Sequence, residues 1–216
     1  MLKSPPAIIG IGGFASNTGK TTLMCELLRK FPGWEAIKTT RGHYRSCGKD
    51  PQSCCVSHLL GDHALIRSGR AETYAVGKDT GRYWEAGAAN VHWVIATEEQ
   101  VEQGIREALT LVKSEGVFIE GNSFSEFVDV ELMIMVARAA DTQIKKSARR
   151  ALRKASALYL TGENGLHAKP AEQEQFKEWF SSTSIGGSAI YLPVYTSNDI
   201  PHLAAEIRDT TQLVAI

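Results

Sequence analysis

The sequence predicts a three-layer α/β/α fold around a mainly parallel, twisted sheet, and three observations carry that expectation. Apolar runs rich in β-branched and aromatic residues alternate with stretches of helical period, which is the pattern of strands covered by crossover helices. The 216 residues are 43% hydrophobic and 22% charged, enough to bury a substantial core in one domain spanning 1–216. A glycine-containing turn joins the first strand to the first helix, where open parallel sheets bind their ligands.

The first strand is expected at 7–12 and the first helix from about Gly19 to Lys30, with Leu23, Leu27 and Leu28 on one face and Pro32-Gly33 ending it. A second strand follows at 35–39. Residues 41–62 have no clear period and collect Gly, Ser, Pro, Cys and His, so they read as a long loop, a Cys/His-containing segment at about 41–63. Val91-His92-Trp93-Val94-Ile95-Ala96 reads as a strand, and Thr97-Glu98-Glu99-Gln100 as the capping box of a helix reaching Lys113. Further strands are expected at 117–120, 131–136, 157–160 and 189–194. The helices between them are expected at 142–156, behind a capping Asp141, and at 171–180, with a closing helix from near Ile200.

The balance of 24 basic and 24 acidic residues gives no reason to expect nucleic acid or an anionic membrane as the main partner. No segment approaches the ~18 consecutive apolar residues of a membrane span, and the apolar stretch near the N-terminus is too short for a signal core. A cytoplasmic protein is expected. Crowded cysteines fit a reducing compartment better than a disulfide framework.

The chemistry concentrates in Gly12-Gly13-Phe14-Ala15-Ser16-Asn17-Thr18-Gly19-Lys20-Thr21-Thr22. Small residues between strand and helix let backbone N–H groups curl around phosphate oxygens, and the helix N-terminus adds partial positive charge. Gly13, Ser16, Asn17, Thr18, Gly19, Lys20, Thr21 and Thr22 are therefore the candidate nucleotide cradle, the mark of a P-loop NTPase. In this reading Lys20 neutralises the outer phosphates and the Thr21 hydroxyl completes a Mg²⁺ shell. The common spacing places glycine where Phe14 stands; Gly13 lies one residue earlier, seven before the lysine. That longer loop is similar to those of dethiobiotin synthetases and cobyric or cobyrinic acid synthases. Glu120, at the end of a buried strand and beside Gly121, is the second anchor, a candidate for Mg²⁺ and for catalysis.

Beyond the loop, several blocks resemble the molybdopterin-guanine dinucleotide biosynthesis protein B family of GTP-binding P-loop proteins. Ala36-Ile37-Lys38-Thr39-Thr40-Arg41-Gly42-His43 is similar to that family's second strand with its lysine and downstream histidine. Gly77-Lys78-Asp79-Thr80-Gly81-Arg82-Tyr83-Trp84-Glu85-Ala86-Gly87-Ala88 is similar to its G-K-D-S-x-R-x-x-x-A-G-A stretch, and Asn198-Asp199-Ile200-Pro201 falls in the family's order. The resemblance implies that Lys38, His43, Asp79 and Arg82 line the site, and that the partner is a molybdopterin nucleotidyltransferase in molybdenum-cofactor maturation. Physically, Asp79 is the best further candidate for holding Mg²⁺ or positioning water; the competing role is a helix N-cap.

Three functions stay open: a GTP-binding accessory protein with slow hydrolysis, an ATP-dependent ligase of the dethiobiotin type holding a small carboxylate near Lys38 and Arg41, and a metal-carrying nucleotide switch. The last draws on Cys47, Cys54, Cys55 and His43, soft donors suited to Zn²⁺ or an iron–sulfur cluster, with a redox-sensitive thiol cluster or ordinary cysteines as the alternatives. His58 and His63 extend that list only loosely, and Cys25 reads as a small buried hydrophobe. Asn164, after a late strand, is a candidate base contact. A homodimer is a further candidate assembly. The basic run from Lys145 to Lys154 reads as a solvated helix face, and Tyr83, Trp84 and Trp93 as core.

Overall fold

The computed structural model describes residues 5–42, 59–163, 167–183, 189 and 191–213. Among these, eight strands form one sheet in the order β3-β4-β2-β5-β1-β6-β7-β8. They are β1 (Ala7–Gly13), β2 (Glu35–Arg41), β3 (Leu65–Ser68), β4 (Val91–Ala96), β5 (Gly116–Glu120), β6 (Leu132–Arg138), β7 (Ala157–Thr161) and β8 (Val194–Tyr195). Every pairing is parallel except that of β3 with β4.

Parallel strands buried on both faces need apolar residues at successive positions, and β6 shows how they divide. Leu132, Ile134 and Val136 enter one core with Ile9, Ile11 and Phe118, under helices α1 (Lys20–Lys30) and α7 (Ile200–Leu213). Met133, Met135 and Ala137 enter the other with Val117 and Ile119, under α4 (Val101–Thr110), α5 (Lys146–Leu152) and α6 (Pro170–Ser182). Two short helices, α2 (Arg70–Thr73) and α3 (Asp79–Glu85), follow β3. The expected three layers and mainly parallel sheet are present.

Several local expectations are corrected. The unperiodic stretch after β2 is followed by strand β3 at Leu65–Ser68, a four-residue antiparallel edge too short to show a period. The helix expected at 142–156 spans only Lys146–Leu152, with Lys145 rather than Asp141 at its N-cap. The Lys145 N–H instead reaches the Phe14 carbonyl at 2.9 Å, and that of Asp141 reaches Arg138 at 3.0 Å, so the preceding residues serve tertiary bonds. The strand expected at 189–194 is confined to Val194–Tyr195. Helix α4 ends at Thr110 rather than Lys113, and its capping box is half realised, with Gln100 Oε1 accepting from the Thr97 N–H at 3.1 Å.

Candidate phosphate and cation site

The carboxyl ends of β1, β2 and β5 open onto a cleft of about 760 Å³. Seven of the eight residues of the predicted cradle, all but Gly13, line it together with Lys38, Asp79 and Glu120. Gly13 lies underneath. A Cβ there would stand 2.7 Å from Thr18 Oγ1 and 2.8 Å from Lys20 Cδ, so only glycine lets the loop fold this tightly. Gly19, at the N-cap of α1, has φ of 95°, and Asn17 has φ of 60°, both left-handed turns that curl the chain before the helix.

Phe14 accounts for the longer spacing. Its side chain is fully buried and packs against Phe176 and Phe180 of α6, with ring centroids 6.0 and 5.7 Å away. Its backbone is held at both ends, the N–H by Val136 and the carbonyl by Lys145. The extra residue thus leaves the cleft and roots the loop in the core.

Side chains from elsewhere in the fold, with Lys20 of the loop itself, hold the loop's carbonyls and a hydroxyl. Asn122 Nδ2 donates to Gly13 O at 3.0 Å, while its Oδ1 accepts from the same residue's N–H at 2.8 Å. Arg138 donates to Asn17 O at 2.6 Å, Thr161 to Thr18 O at 3.0 Å, and Lys20 Nζ to Ala15 O at 3.1 Å. Lys145 donates to the Ser16 hydroxyl at 2.6 Å. Tying carbonyls back in this way fixes the peptide planes of the loop. Asn122, Arg138, Lys145 and Thr161 escape a reading of the sequence for function because they act from 109 to 143 residues away, with no local pattern.

Glu120 is 1% exposed, so its charge needs partners. Thr21 Oγ1 donates to its Oε2 at 3.0 Å, the Tyr83 hydroxyl donates to the same oxygen, and Lys38 pairs with Oε1. Lys38 also meets Asp79 at 2.7 Å. Burial opposes the Lys38 charge, but Glu120 and Asp79 outweigh it and hold its pKa above the ordinary lysine value. Burial likewise pushes Asp79 up, yet Lys38 and a hydrogen bond from Thr21 bring it below the usual carboxylate range. Lys20 is lowered, by burial first and by neighbouring Lys38 and Lys145 against the opposing Glu120 and Asp79. Asp79 is not a cap: Lys78 takes that position and Asp79 opens α3 facing Lys38. Arg82, on the same helix, reaches the Thr22 hydroxyl at 3.3 Å.

A threonine hydroxyl between two carboxylates is a hard-oxygen donor set, small enough to leave positions for phosphate oxygens and water, and it suits Mg²⁺. Among the described residues no group of three or more His, Cys, Asp or Glu could hold a metal. Cys47, Cys54, Cys55, His43 and His58 of the expected soft-metal segment, and Asn164 of the expected base contact, lie outside the described residues. His63 is exposed, and Cys25 is buried as expected, its pKa pushed up to about 11 by burial. Among the described residues no helix is long and apolar enough to cross a membrane.

No family model and no curated protein matches the chain. Among solved structures, signal recognition particle receptor FtsY from Elizabethkingia anophelis in complex with GDP matches over 89% of this chain and 57% of its own, at 12% identity and a TM-score of 0.40. A second structure of that receptor matches over 97% of this chain and 66% of its own, at 14% identity and a TM-score of 0.42. The chain therefore spans less than two thirds of the length of either.

Proposed function

We propose that the chain binds a nucleoside triphosphate with Mg²⁺ at the β1–α1 loop and hydrolyses it slowly. The observation that carries this reading is the meeting of the Thr21 hydroxyl with the Glu120 carboxylate in the lining of the cleft, which Lys20 shares. The loop N–H groups and the α1 N-terminus receive phosphate oxygens. Lys20 exchanges Ala15 O for the outer phosphates, a stronger acceptor for an ammonium group. Thr21 and Glu120 hold Mg²⁺, with Asp79 beside them to orient an attacking water. Bound Mg²⁺ supplies neutralisation of charge on the transferred phosphoryl group.

The ligase reading needs Lys38 and Arg41 to receive a substrate carboxylate. Both already face carboxylates of this chain, Lys38 those of Glu120 and Asp79, and Arg41 that of Glu98 at 3.2 Å. That arrangement favours the hydrolytic accessory reading. Its finer form, a GTP-binding accessory to a molybdopterin nucleotidyltransferase, is supported by the resemblance of residues 77–88. Titration with fluorescent GTP and ATP analogues, with Mg²⁺ and with chelator, tests the proposal. Magnesium-dependent binding with GTP preferred is expected. Absence of binding to either would overturn it, and preference for ATP would return the ligase reading.

A further inference from the structure

The segment 77–88 resembles a known motif, but the structure gives its residues physical reasons that the resemblance does not. Asp79 and Tyr83 are four apart on α3 and so share one helix face. The first reaches Lys38, and the second reaches Glu120, which Lys38 also contacts. Gly81, between them, lets the preceding turn close against the helix: a Cβ there would come 2.0 Å from the Ala75 carbonyl oxygen. Tyr83 is fully buried among Ile9, Ile11, Leu23 and Met24, where a phenol without a partner would be costly. Phenylalanine would satisfy that apolar setting equally well. The hydroxyl is therefore explained by Glu120 rather than by packing.

From this geometry we infer that Tyr83 is a positioning residue for the divalent-cation site, fixing Glu120 so that its carboxylate faces Thr21. The inference rests on the proposed reading of Glu120 as a Mg²⁺ ligand. A carboxylate on a bare strand end can rotate about its terminal bonds; here Tyr83 and Thr21 converge on Oε2 while Lys38 takes Oε1, which leaves one orientation. Partners of this kind orient metal ligands elsewhere, and losing one typically costs about 10–100-fold in metal affinity or activity.

The test is Tyr83→Phe, which keeps the ring. A fluorescent GTP analogue, or the ATP analogue if the parent prefers it, is titrated at increasing Mg²⁺ and again in chelator. The expected result is a Mg²⁺ midpoint raised about tenfold or more, with metal-free nucleotide affinity unchanged. An unchanged midpoint, or equal loss in both arms, would overturn the assignment. Glu120→Gln and the double variant supply a second measurement: losses that do not add are expected, and fully additive losses would count against action through Glu120. A parent that binds nucleotide without any Mg²⁺ dependence would overturn both this assignment and the role of Glu120, whereas a parent that depends on Mg²⁺ beside an unaffected Tyr83→Phe removes this assignment alone.

Discussion

The two ends of the sheet each bury a glutamate, and they treat it differently. At the amino end of β2, Glu35 accepts from the Lys113 and Ser114 N–H groups at 2.8 and 2.9 Å and meets His92 Nε2 at 2.7 Å; His92 Nδ1 is 2.9 Å from the Ser68 hydroxyl. Glu35 and His92 are both buried, and their bonds close the network on itself. At the carboxyl end, Glu120 and its partners instead border a cleft of about 760 Å³, with Lys20, Arg82 and Lys145 around it. The first network is enclosed by the protein, whereas the second shares its cleft with cationic side chains that border open space. Burial of a charge alone does not tell the two apart.

If that contrast holds, substitutions at the two ends separate stability from binding. The largest effect is expected from Glu35→Ala, which strands His92 and two backbone donors. Leaving buried donors unsatisfied costs about 1–3 kcal/mol each, read by denaturant unfolding, with nucleotide affinity per folded molecule unchanged. Lys20→Ala should do the reverse. Losing a charge-assisted contact worth about 1.5–3 kcal/mol weakens triphosphate binding roughly 10- to 100-fold in a titration, while the unfolding midpoint stays near that of the parent.

Acid should expose the amino end next. Burial pushes Glu35 up, but hydrogen bonds from His92, Lys113 and Ser114 bring its pKa below the ordinary 4.5. A depressed folded pKa gives stability that is full above the unfolded value and lost as pH falls through the folded one. Unfolding curves from pH 6 downward should therefore show this contribution disappearing below about 4.5, and Glu35→Ala should flatten that part of the profile. The smallest effect is expected from Thr161→Val, which keeps the shape against Gly19 but releases Thr18 O. One neutral hydrogen bond is worth about 1 kcal/mol; calorimetry should find stability and nucleotide affinity both slightly reduced. A large loss of affinity there would mean that the cradle depends on β7 far more than on its own backbone.

How much of this was legible in the sequence follows from the range of each interaction. The first strand, loop and helix are local, and their glycines, lysine and threonine read directly from consecutive residues. Glu120 was legible as a strand end and Asp79 as part of a recognisable block, although the meeting of both with Lys38 required the β2–β5 pairing. Strand β3 was hidden because four half-buried residues at an antiparallel edge carry no period. The helix before β7 is shorter than its composition suggests because residues ahead of Lys146 have helical composition but satisfy Phe14 and Arg138 instead. Tyr83 reads as core, and by burial it is; its bond to Glu120 spans 37 residues and leaves no mark on the local pattern.

Phe14 carries a lesson about spelling. With its ring against α6 and residues 15–22 lining the cleft, the loop behaves as one of ordinary length into which one residue has been inserted as a root. A search that counts positions between glycine and lysine would discard such a chain. One that asks which positions face the cleft, and lets an aromatic drop out of the tally, would keep it.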